Sequence, residues 1–230
     1  MLTLLTATGE RPEAWALCQK WMQRQTFTGP VRWIIVDDGE QPQPITFERK
    51  GWTLEVVRPQ PFWRPGENTQ SRNLMAGLAR VGSRDWLAII EDDDWYAPDW
   101  LERVTGKLEL AELVGEGFAR YYNVAYRKAR QLTNDKHASL CACAMRGEAI
   151  QALRNICRTS PEFLDVFLWQ SHPSRVLFAG HRVVGIKGLP GRGGIGVGHS
   201  TNFMGDLDPS GAVLKSWIGE DAAQYLPEAQ

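Results

Sequence analysis

The chain has 230 residues, of which 43% are hydrophobic and 23% are charged, so it is long and apolar enough to fold around one large core. Its net charge of -1 excludes bulk attraction to a polyanion and leaves only local charge to bind one. No apolar run reaches the length of a membrane span or resembles a signal peptide, so we expect a cytoplasmic protein without a membrane partner.

The first half of the sequence alternates short apolar runs with amphipathic segments. Residues 2–8, 31–39, 51–58 and 85–93 are predicted strands, and residues 11–25 and 68–81 are predicted helices. In the first helix Trp15, Cys18 and Trp21 recur at helical spacing, and Pro12 suits its first turn. Apolar strands that alternate with helices predict an α/β fold with a mainly parallel central sheet and helices on both faces.

The second half is less regular. Its predicted strands cover residues 118–127, 139–147, 175–180 and 182–188, and its predicted helices cover residues 147–156 and 161–170. Residues 189–199 form a glycine-rich loop, and the composition after Gly205 is typical of a loosely packed tail. The four cysteines lack a metal-ligand spacing, so we expect reduced, buried thiols.

Three predicted strands of the first half end in polar residues. These are Thr6 and Thr8, then Asp37 and Asp38, and finally Glu91, Asp92, Asp93 and Asp94, which we call the acid run. Because parallel sheets bind ligands outside the carboxyl ends of their strands, we expect these side chains to share one edge of the sheet.

The acid run directly follows an apolar strand. Four adjacent carboxylates repel one another, so on charge alone Asp93→Asn is expected to stabilise the unliganded protein. Solvation is the ordinary explanation of a surface charge run. At the ligand-binding edge of a sheet, a hard divalent cation such as Mn²⁺ or Mg²⁺ explains it better, because such cations take carboxylate oxygens and bridge to phosphate.

The first hundred residues resemble the family-two glycosyltransferases, which have the Rossmann-like GT-A fold. The resembling segments are LTATGERPEAWALCQKWMQRQ, WIIVDDGE, TQSRNLMAGL and IIEDDDWYAPDWL, in the family's order. The resemblance implies a metal-dependent enzyme that moves a sugar from a nucleotide-diphosphate sugar, with UDP as the expected nucleotide, to an acceptor hydroxyl. Residues 1–100 are then the nucleotide-sugar-binding half, 101–205 the acceptor and catalytic half, and 206–230 a C-terminal tail.

The resemblance also implies residues that bind the donor. Thr6 and Glu10 match first-loop positions that line the base and ribose. Either Asp37 or Asp38 matches the carboxylate that reads the nucleobase edge. Arg72 matches a donor-site arginine.

The acid run matches the family's metal motif in two registers. One register puts Glu91 and Asp93 in the spaced-acid positions, and the other puts Asp92 and Asp94 there. We interpret Asp93 as a metal ligand, with Asp94 and Asp92 in support. His199 is a further candidate ligand, as in some GT-A enzymes, although a lone histidine is more often structural.

An inverting transfer needs a carboxylate close to the acceptor hydroxyl. The segment FLDVFLW, residues 163–169, resembles the family's base-bearing helix and puts Asp165 in the key position. Glu162 is the second candidate for the base. Asp165 could instead be a first-turn charge that the helix dipole favours.

Residues 166–205 contain no Asp or Glu, and we call them the acid-free stretch. Their basic residues include Arg175, Arg182, Lys187 and Arg192. We expect the glycine-rich loop to close on the donor diphosphate, with Arg192 offsetting its charge. We also expect Asp165 to stay ionised beside so positive a stretch.

The acceptor is open between two classes. The segment IKGLPGRGGIGVGH is similar to phage-encoded glycosyltransferases, some of which modify hydroxymethylpyrimidines in DNA. This similarity implies DNA as the acceptor, in the cytoplasm of a host cell. The alternative is a glycan or a small molecule.

Two other functions compete with sugar transfer. A nucleotidyltransferase of related fold usually has a first loop rich in Gly with Lys or Arg, and TATGERPEA has one Gly. A non-catalytic nucleotide or nucleic-acid-binding module would tolerate the loss of the acid run and of Asp165.

Overall fold

The chain folds into two β-sheets flanked by helices, in a computed structural model that describes residues 1–160, 162–194 and 196–226. The strands are β1 (Leu2–Thr8), β2 (Val31–Asp37), β3 (Trp52–Val57), β4 (Trp86–Ile89), β5 (Trp95–Tyr96), β6 (Leu113–Glu116), β7 (Arg120–Asn123), β8 (Lys128–Gln131), β9 (Cys143–Arg146), β10 (Arg175–Phe178), β11 (Val183–Lys187) and β12 (Asp206–Leu207). The α-helices are α1 (Pro12–Gln23), α2 (Gln70–Leu78), α3 (Trp100–Leu108), α4 (Glu148–Thr159), α5 (Leu164–Ser171) and α6 (Ala212–Ile218).

The main sheet has seven strands in the order β10-β6-β9-β4-β1-β2-β3. Strands β4, β1, β2 and β3 run parallel to their neighbours, as do β10 and β6, whereas β9 is antiparallel to β4 and β6. The predicted α/β architecture with a mainly parallel sheet is therefore confirmed. Nearly all residues of β1 and β2 are buried, as expected for a sheet that is covered on both sides.

Helices cover both faces of this sheet. Trp15 of α1 packs against Trp33 of β2, with the ring centroids 5.3 Å apart. Gly77 of α2 lies against Leu5 and Val36, so closely that a Cβ at this position would collide with them. Residues 33 and 36 point to opposite faces of a strand, so α1 and α2 lie on opposite sides.

The second sheet has the order β12-β8-β7-β11-β5. Strand β5 directly follows the acid run and pairs antiparallel with β11. Because β11 ends at Lys187, this pairing brings a lysine of the acid-free stretch back to the acids that precede β5.

The second half departs from the predicted elements. The predicted strand at 139–147 begins only at Cys143, after a 3₁₀ turn at Leu140–Ala142. Strands β6 and β8 were not predicted, because four-residue strands leave too little periodicity to detect. The cysteine prediction is confirmed, since all four thiols are free and buried.

The expectation of loose packing after Gly205 is wrong for residues 206–226. Leu214, Ile218 and Tyr225 are buried, and Trp21 Nε1 of α1 donates a hydrogen bond to the Tyr225 hydroxyl at 2.7 Å. The segment packs because α6 carries a short apolar face, which the Pro, Gly and Asp content of the tail masked. Over the described part of the chain, no helix combines the length and the apolar character needed to cross a membrane.

Candidate active site

A cavity of about 600 Å³ opens at the carboxyl ends of β1 and β4. Its walls also include α2, the start of α5, strands β7 and β8, and the glycine-rich loop. Residues that line it include Thr8, Arg11, Glu91, Asp92, Asp93, Glu162, Phe163, Asp165, Lys187, Arg192 and His199. The structure thus brings the acid run, the predicted base and the acid-free stretch to one cavity.

Arg11 neutralises the centre of the acid run. Its guanidinium donates to Asp92 Oδ1 at 2.6 Å and to Asp93 Oδ2 at 2.7 Å. The Thr8 hydroxyl donates to the other oxygen of Asp92 at 2.8 Å. Both oxygens of this buried carboxylate therefore have partners within the protein, which favours a structural role for Asp92.

Asp93 is surrounded by nitrogen atoms. Lys187 Nζ lies 3.6 Å and His199 Nε2 3.4 Å from its Oδ2 atom. Burial alone would raise the pKa of the Asp93 carboxyl, but Lys187 and Arg11 outweigh it and hold that pKa below its usual range. The ionised form of Asp93 is thus stabilised by the fold, so repulsion within the acid run does not govern this residue.

Asp94 is not among the residues that line the cavity. Its Oδ1 atom accepts hydrogen bonds from the backbone N–H of Ile186 at 2.9 Å and from Lys187 Nζ at 3.0 Å. Burial raises the pKa of Asp94 to about 6 and, with the neighbouring Asp94 charge, that of Glu91 to about 8. Repulsion therefore persists between these two acids, and Glu91, not Asp94, reaches the cavity wall.

The predicted metal ligands are only partly brought together. Asp93 and His199 are adjacent, and burial with the nearby Lys187 lowers the pKa of His199 to about 3, which leaves the neutral imidazole that metals bind. Among the described residues, however, the group of potential metal ligands that lies closest together is a different one. It consists of Glu91, Asp94 and Cys141, whose ligand atoms all lie within 4.8 Å of one another.

The acid run nevertheless fits a divalent cation. If all four acids are ionised, Arg11 and Lys187 balance two of their charges and leave two. The Oδ2 atom of Asp94 is also buried without a hydrogen-bond partner. A cation with a charge of +2 and a preference for carboxylate oxygen would complement both features.

The two acids at the end of β2 have different partners. Asp37 accepts hydrogen bonds from the backbone N–H groups of Gly39 and Gln43 and from Arg58. Its carboxylate therefore shapes the turn after β2. Neither Asp37 nor Asp38 is among the residues that line the cavity, so the choice between them as the carboxylate that reads a nucleobase stays a prediction.

Asp38 is fully buried at the centre of a polar cluster. Its oxygens accept hydrogen bonds from Thr69 at 2.6 Å, Arg72 at 3.1 Å and Arg192 at 2.6 Å. The Arg192 guanidinium also lies over the Trp63 ring, 4.5 Å from its centroid. Arg192 is thus fixed at the end of β2 and is not free in the way expected of a residue that offsets diphosphate charge.

The first-loop predictions have different outcomes. Thr6 is fully buried, and its hydroxyl accepts a hydrogen bond from Trp33 Nε1 at 2.9 Å, so it faces the packing layer beneath α1 instead of the cavity. Glu10 lies at the loop after β1, where its carboxylate accepts from the Glu40 N–H and its carbonyl from the Arg192 N–H. Thr8, two residues after Thr6, lines the cavity.

Asp165 lies in the first turn of α5 and faces the cavity. Its Oδ1 atom accepts a hydrogen bond from the Val166 N–H at 2.9 Å. Burial raises the pKa of Asp165, and this N–H and the charge of His137 only partly offset it. A neighbouring positive charge does favour the ionised form of Asp165, but it comes from His137 and burial outweighs it, so the expectation that Asp165 stays ionised remains a prediction.

A comparison of sequences assigns the family. The sequence model described as Glycosyl transferase family 2 matches residues 19–146, which is more than half of the chain. The chain belongs to glycosyl transferase family 2. The match includes Asp38 and the acid run but ends before Asp165, so the assignment of the base remains a prediction.

Solved structures of TarS from S. aureus confirm the GT-A fold. One TarS structure has a TM-score of 0.55 and 9% identity, over 78% of this chain and 35% of that one. TarS 1-349 in complex with UDP has a TM-score of 0.57 and 8% identity, over 81% of this chain and 60% of that one. Its complex with UDP-GlcNAc has a TM-score of 0.53 and 10% identity, over 81% of this chain and 58% of that one. The chain therefore spans less than two thirds of these TarS chains, and at such identities the similarity shows the fold alone. No curated protein sequence matches the chain.

The acid-free stretch does not form a free positive surface on this family 2 fold. Lys187 and Arg192 pair with acids of the first half. Arg182 pairs with Asp99 at 2.8 Å, and Arg175 donates to backbone carbonyls near the end of α5. The local charge asymmetry of the sequence is thus largely cancelled by contacts within the fold.

Sequence reasoning did not identify Arg11 or Trp63 as site residues. It named Thr8 only for its place at a strand end and Lys187 only for its charge. Arg11 had a usable signal, because it lies three residues after the polar end of β1. The position of Lys187 had none, since it depends on the pairing of β11 with β5.

Proposed function

We propose that this chain transfers a sugar from a UDP-sugar to an acceptor hydroxyl, with inversion at the anomeric carbon. The observation that carries the proposal is one cavity, on a glycosyl transferase family 2 fold, that is lined by both the acid run and Asp165. The acid run suits the diphosphate end of a donor. The Asp165 carboxylate in the same cavity suits the deprotonation of an acceptor.

The donor half of the proposal rests on the end of β2. Asp38 is held by Thr69, Arg72 and Arg192, and by exchanging one of these partners its carboxylate would accept a hydrogen bond from uracil N3–H. The complexes of TarS with UDP and with UDP-GlcNAc support a uridine nucleotide for a chain of the same fold.

The chemistry is assigned to Asp165. As the acceptor oxygen bonds to the anomeric carbon, Asp165 takes the hydroxyl proton, and the bond from that carbon to the diphosphate breaks with its electron pair leaving on UDP. Its raised pKa makes it a stronger base than an exposed aspartate. Glu162 also lines the cavity and is the alternative base.

A divalent cation, Mn²⁺ or Mg²⁺, is part of the proposal. Glu91, Asp93 and Asp94, with His199, are the residues that would hold it. When bound, such a cation neutralises negative charge on the departing nucleotide. Arg11 holds Asp92 and Asp93, and Lys187 holds Asp94, in place beside this site.

The experiment measures UDP release from UDP-GlcNAc and UDP-glucose, with Mn²⁺ and with a chelator, beside the unfolding midpoint with UDP or GDP. We expect UDP to raise the midpoint more than GDP, because a ligand that binds only the folded state stabilises it. Slow UDP release that needs Mn²⁺ would support sugar transfer. A chain that binds UDP but never releases it from a UDP-sugar would instead be the non-catalytic nucleotide-binding module.

A further inference from the structure

Phe163 lies at the wall of the cavity with most of its side chain in solvent. It is 67% exposed, it lines the same cavity as Asp165, and it lies two positions before that carboxylate in the sequence. Phe167, one helical turn later, is 42% exposed but does not line the cavity. Large exposed aromatic rings beside a cavity are typical of binding surfaces.

The backbone holds Phe163 in an unfavourable conformation. Its φ of 56° and ψ of 34° put it in the left-handed region, which residues with a Cβ rarely adopt. Such conformations persist where the surrounding structure imposes them, and they cluster at ligand sites. At Phe163 this conformation precedes the first turn of α5 and leaves the ring beside the cavity and not in the core.

The charges around the cavity argue for a neutral acceptor. Arg11, Lys187 and Arg192 are ion-paired to acids of the fold. Of the described Lys and Arg side chains that line the cavity, Arg130 alone has no ion pair with an acid. One cation is too few for a nucleic acid, whose binding depends on several phosphate contacts.

We propose that Phe163 is an acceptor-binding residue that packs against the face of a pyranose ring at the end of a neutral glycan and aims one of its hydroxyls at Asp165. The C–H groups on the face of a sugar ring suit the electron-rich face of an aromatic ring. This inference rests on the proposed function, because it assigns the acceptor of that same reaction.

The test uses saturation-transfer NMR on the full chain with UDP present. The probes are the methyl pyranosides of glucose, galactose and mannose, and glucitol serves as a linear polyol with comparable hydroxyl content. We expect at least one pyranoside to receive saturation from the wild-type protein, and glucitol to receive much less. For Phe163→Ala we expect about tenfold weaker pyranoside binding, the loss of one good ring contact.

Two further variants control for folding and position. Phe163→Tyr keeps a ring at the site and is expected to restore binding. Phe167→Ala removes the neighbouring exposed ring outside the cavity and is expected to bind the pyranoside as the wild type does. A UDP-induced rise in the unfolding midpoint, retained in all three variants, shows that the donor site is intact.

Several results would overturn the inference. They are saturation of glucitol equal to that of the pyranosides, no saturation of any pyranoside in the wild type, an unchanged pyranoside signal in Phe163→Ala, and binding of a single-stranded oligonucleotide that Phe163→Ala abolishes. A wild-type protein that does not bind UDP at all would instead contradict the proposed function.

Discussion

The cavity contains two carboxylate regions that differ in how the fold treats their charge. In the acid run, Asp92 and Asp93 are tied to Arg11, and Asp94 is tied to Lys187. Asp165 has no salt bridge to a cation within the described residues, and its one recorded hydrogen bond comes from the N–H of the next residue.

This difference has a chemical consequence. Lys187 and Arg11 outweigh burial and lower the pKa of Asp93, whereas at Asp165 burial outweighs the charge of His137 and raises the pKa. A carboxylate with a lowered pKa is a poor proton acceptor but a stable charge for binding. A carboxylate with a raised pKa accepts a proton more readily, which suits a general base.

The largest expected effect is on the unpaired carboxylate. Asp165→Asn should lower UDP release from a UDP-sugar by about 10²–10⁴-fold, because an amide cannot take the proton of the attacking hydroxyl. The rise in unfolding midpoint caused by UDP should be unchanged, since the base contacts the acceptor. Glu162→Gln is the matched control, and we expect it to keep most activity. The reverse result, with Glu162→Gln inactive and Asp165→Asn active, would move the base to Glu162.

The paired acids should respond in stability. Asp93→Asn leaves Arg11 without one partner in a buried pair, so we expect a loss of about 3 kcal/mol, or roughly 6–12 °C in Tm. This is the opposite of the stabilisation that repulsion alone predicts. Because the folded pKa of Asp93 is lowered, its contribution is present above the unfolded value of about 3.9 and is lost as pH falls.

Glu91→Gln tests the other side of the same cluster. Burial raises the pKa of Glu91 to about 8, so its ionised form is disfavoured in the fold, and we expect little loss of stability at neutral pH. Both variants should be measured by thermal unfolding with a chelator, so that metal binding does not contribute. Equal destabilisation by the two substitutions would show that charge pairing does not distinguish these acids.

A smaller effect is expected at the end of β2. Asp38→Ala should reduce the preference for UDP over GDP by about tenfold, the loss of one hydrogen bond to a charged group, and should also lower stability because Arg72 and Arg192 lose their shared carboxylate. Asp37→Ala should lower stability and leave the preference in place, because Asp37 holds the turn through Gly39 and Gln43. Titration of each variant with both nucleotides measures the preference, and an unaltered preference in Asp38→Ala would remove it from the nucleobase site.

The smallest expected effect is a shift in pH dependence. Transfer needs ionised Asp165, so its rate should fall as pH decreases through a pKa above the ordinary aspartate value of about 3.9. The charge of His137 lowers that pKa, so His137→Gln should move the acidic limb of the pH–rate profile to higher pH. The profile is measured as the rate of UDP release over a series of pH values. A limb that does not move would mean that another group controls it.

Local sequence pattern was enough to predict the elements whose side-chain periodicity spans several residues. Apolar runs predict buried strands such as β1 and β2, and apolar residues at helical spacing predict α1. Both patterns can be detected because side-chain periodicity is visible within a few residues. The polar ends of the strands follow directly, so the edge of the sheet and its acid run were predictable. The short strands β6 and β8 and the packing of α6 were not.

The pairing of the charged residues depends on long-range contacts of the fold. Arg11 meets Asp92 from 81 positions away in sequence, and Lys187 meets Asp94 from 93 positions away. The sequence alone suggested repulsion among the acids of the first half and a free basic stretch in the second half. In the fold, basic residues of that stretch pair with those acids. Asp165 was left outside this pairing, and its raised pKa follows from burial, a property that depends on which distant residues cover the site and which no short segment of sequence encodes.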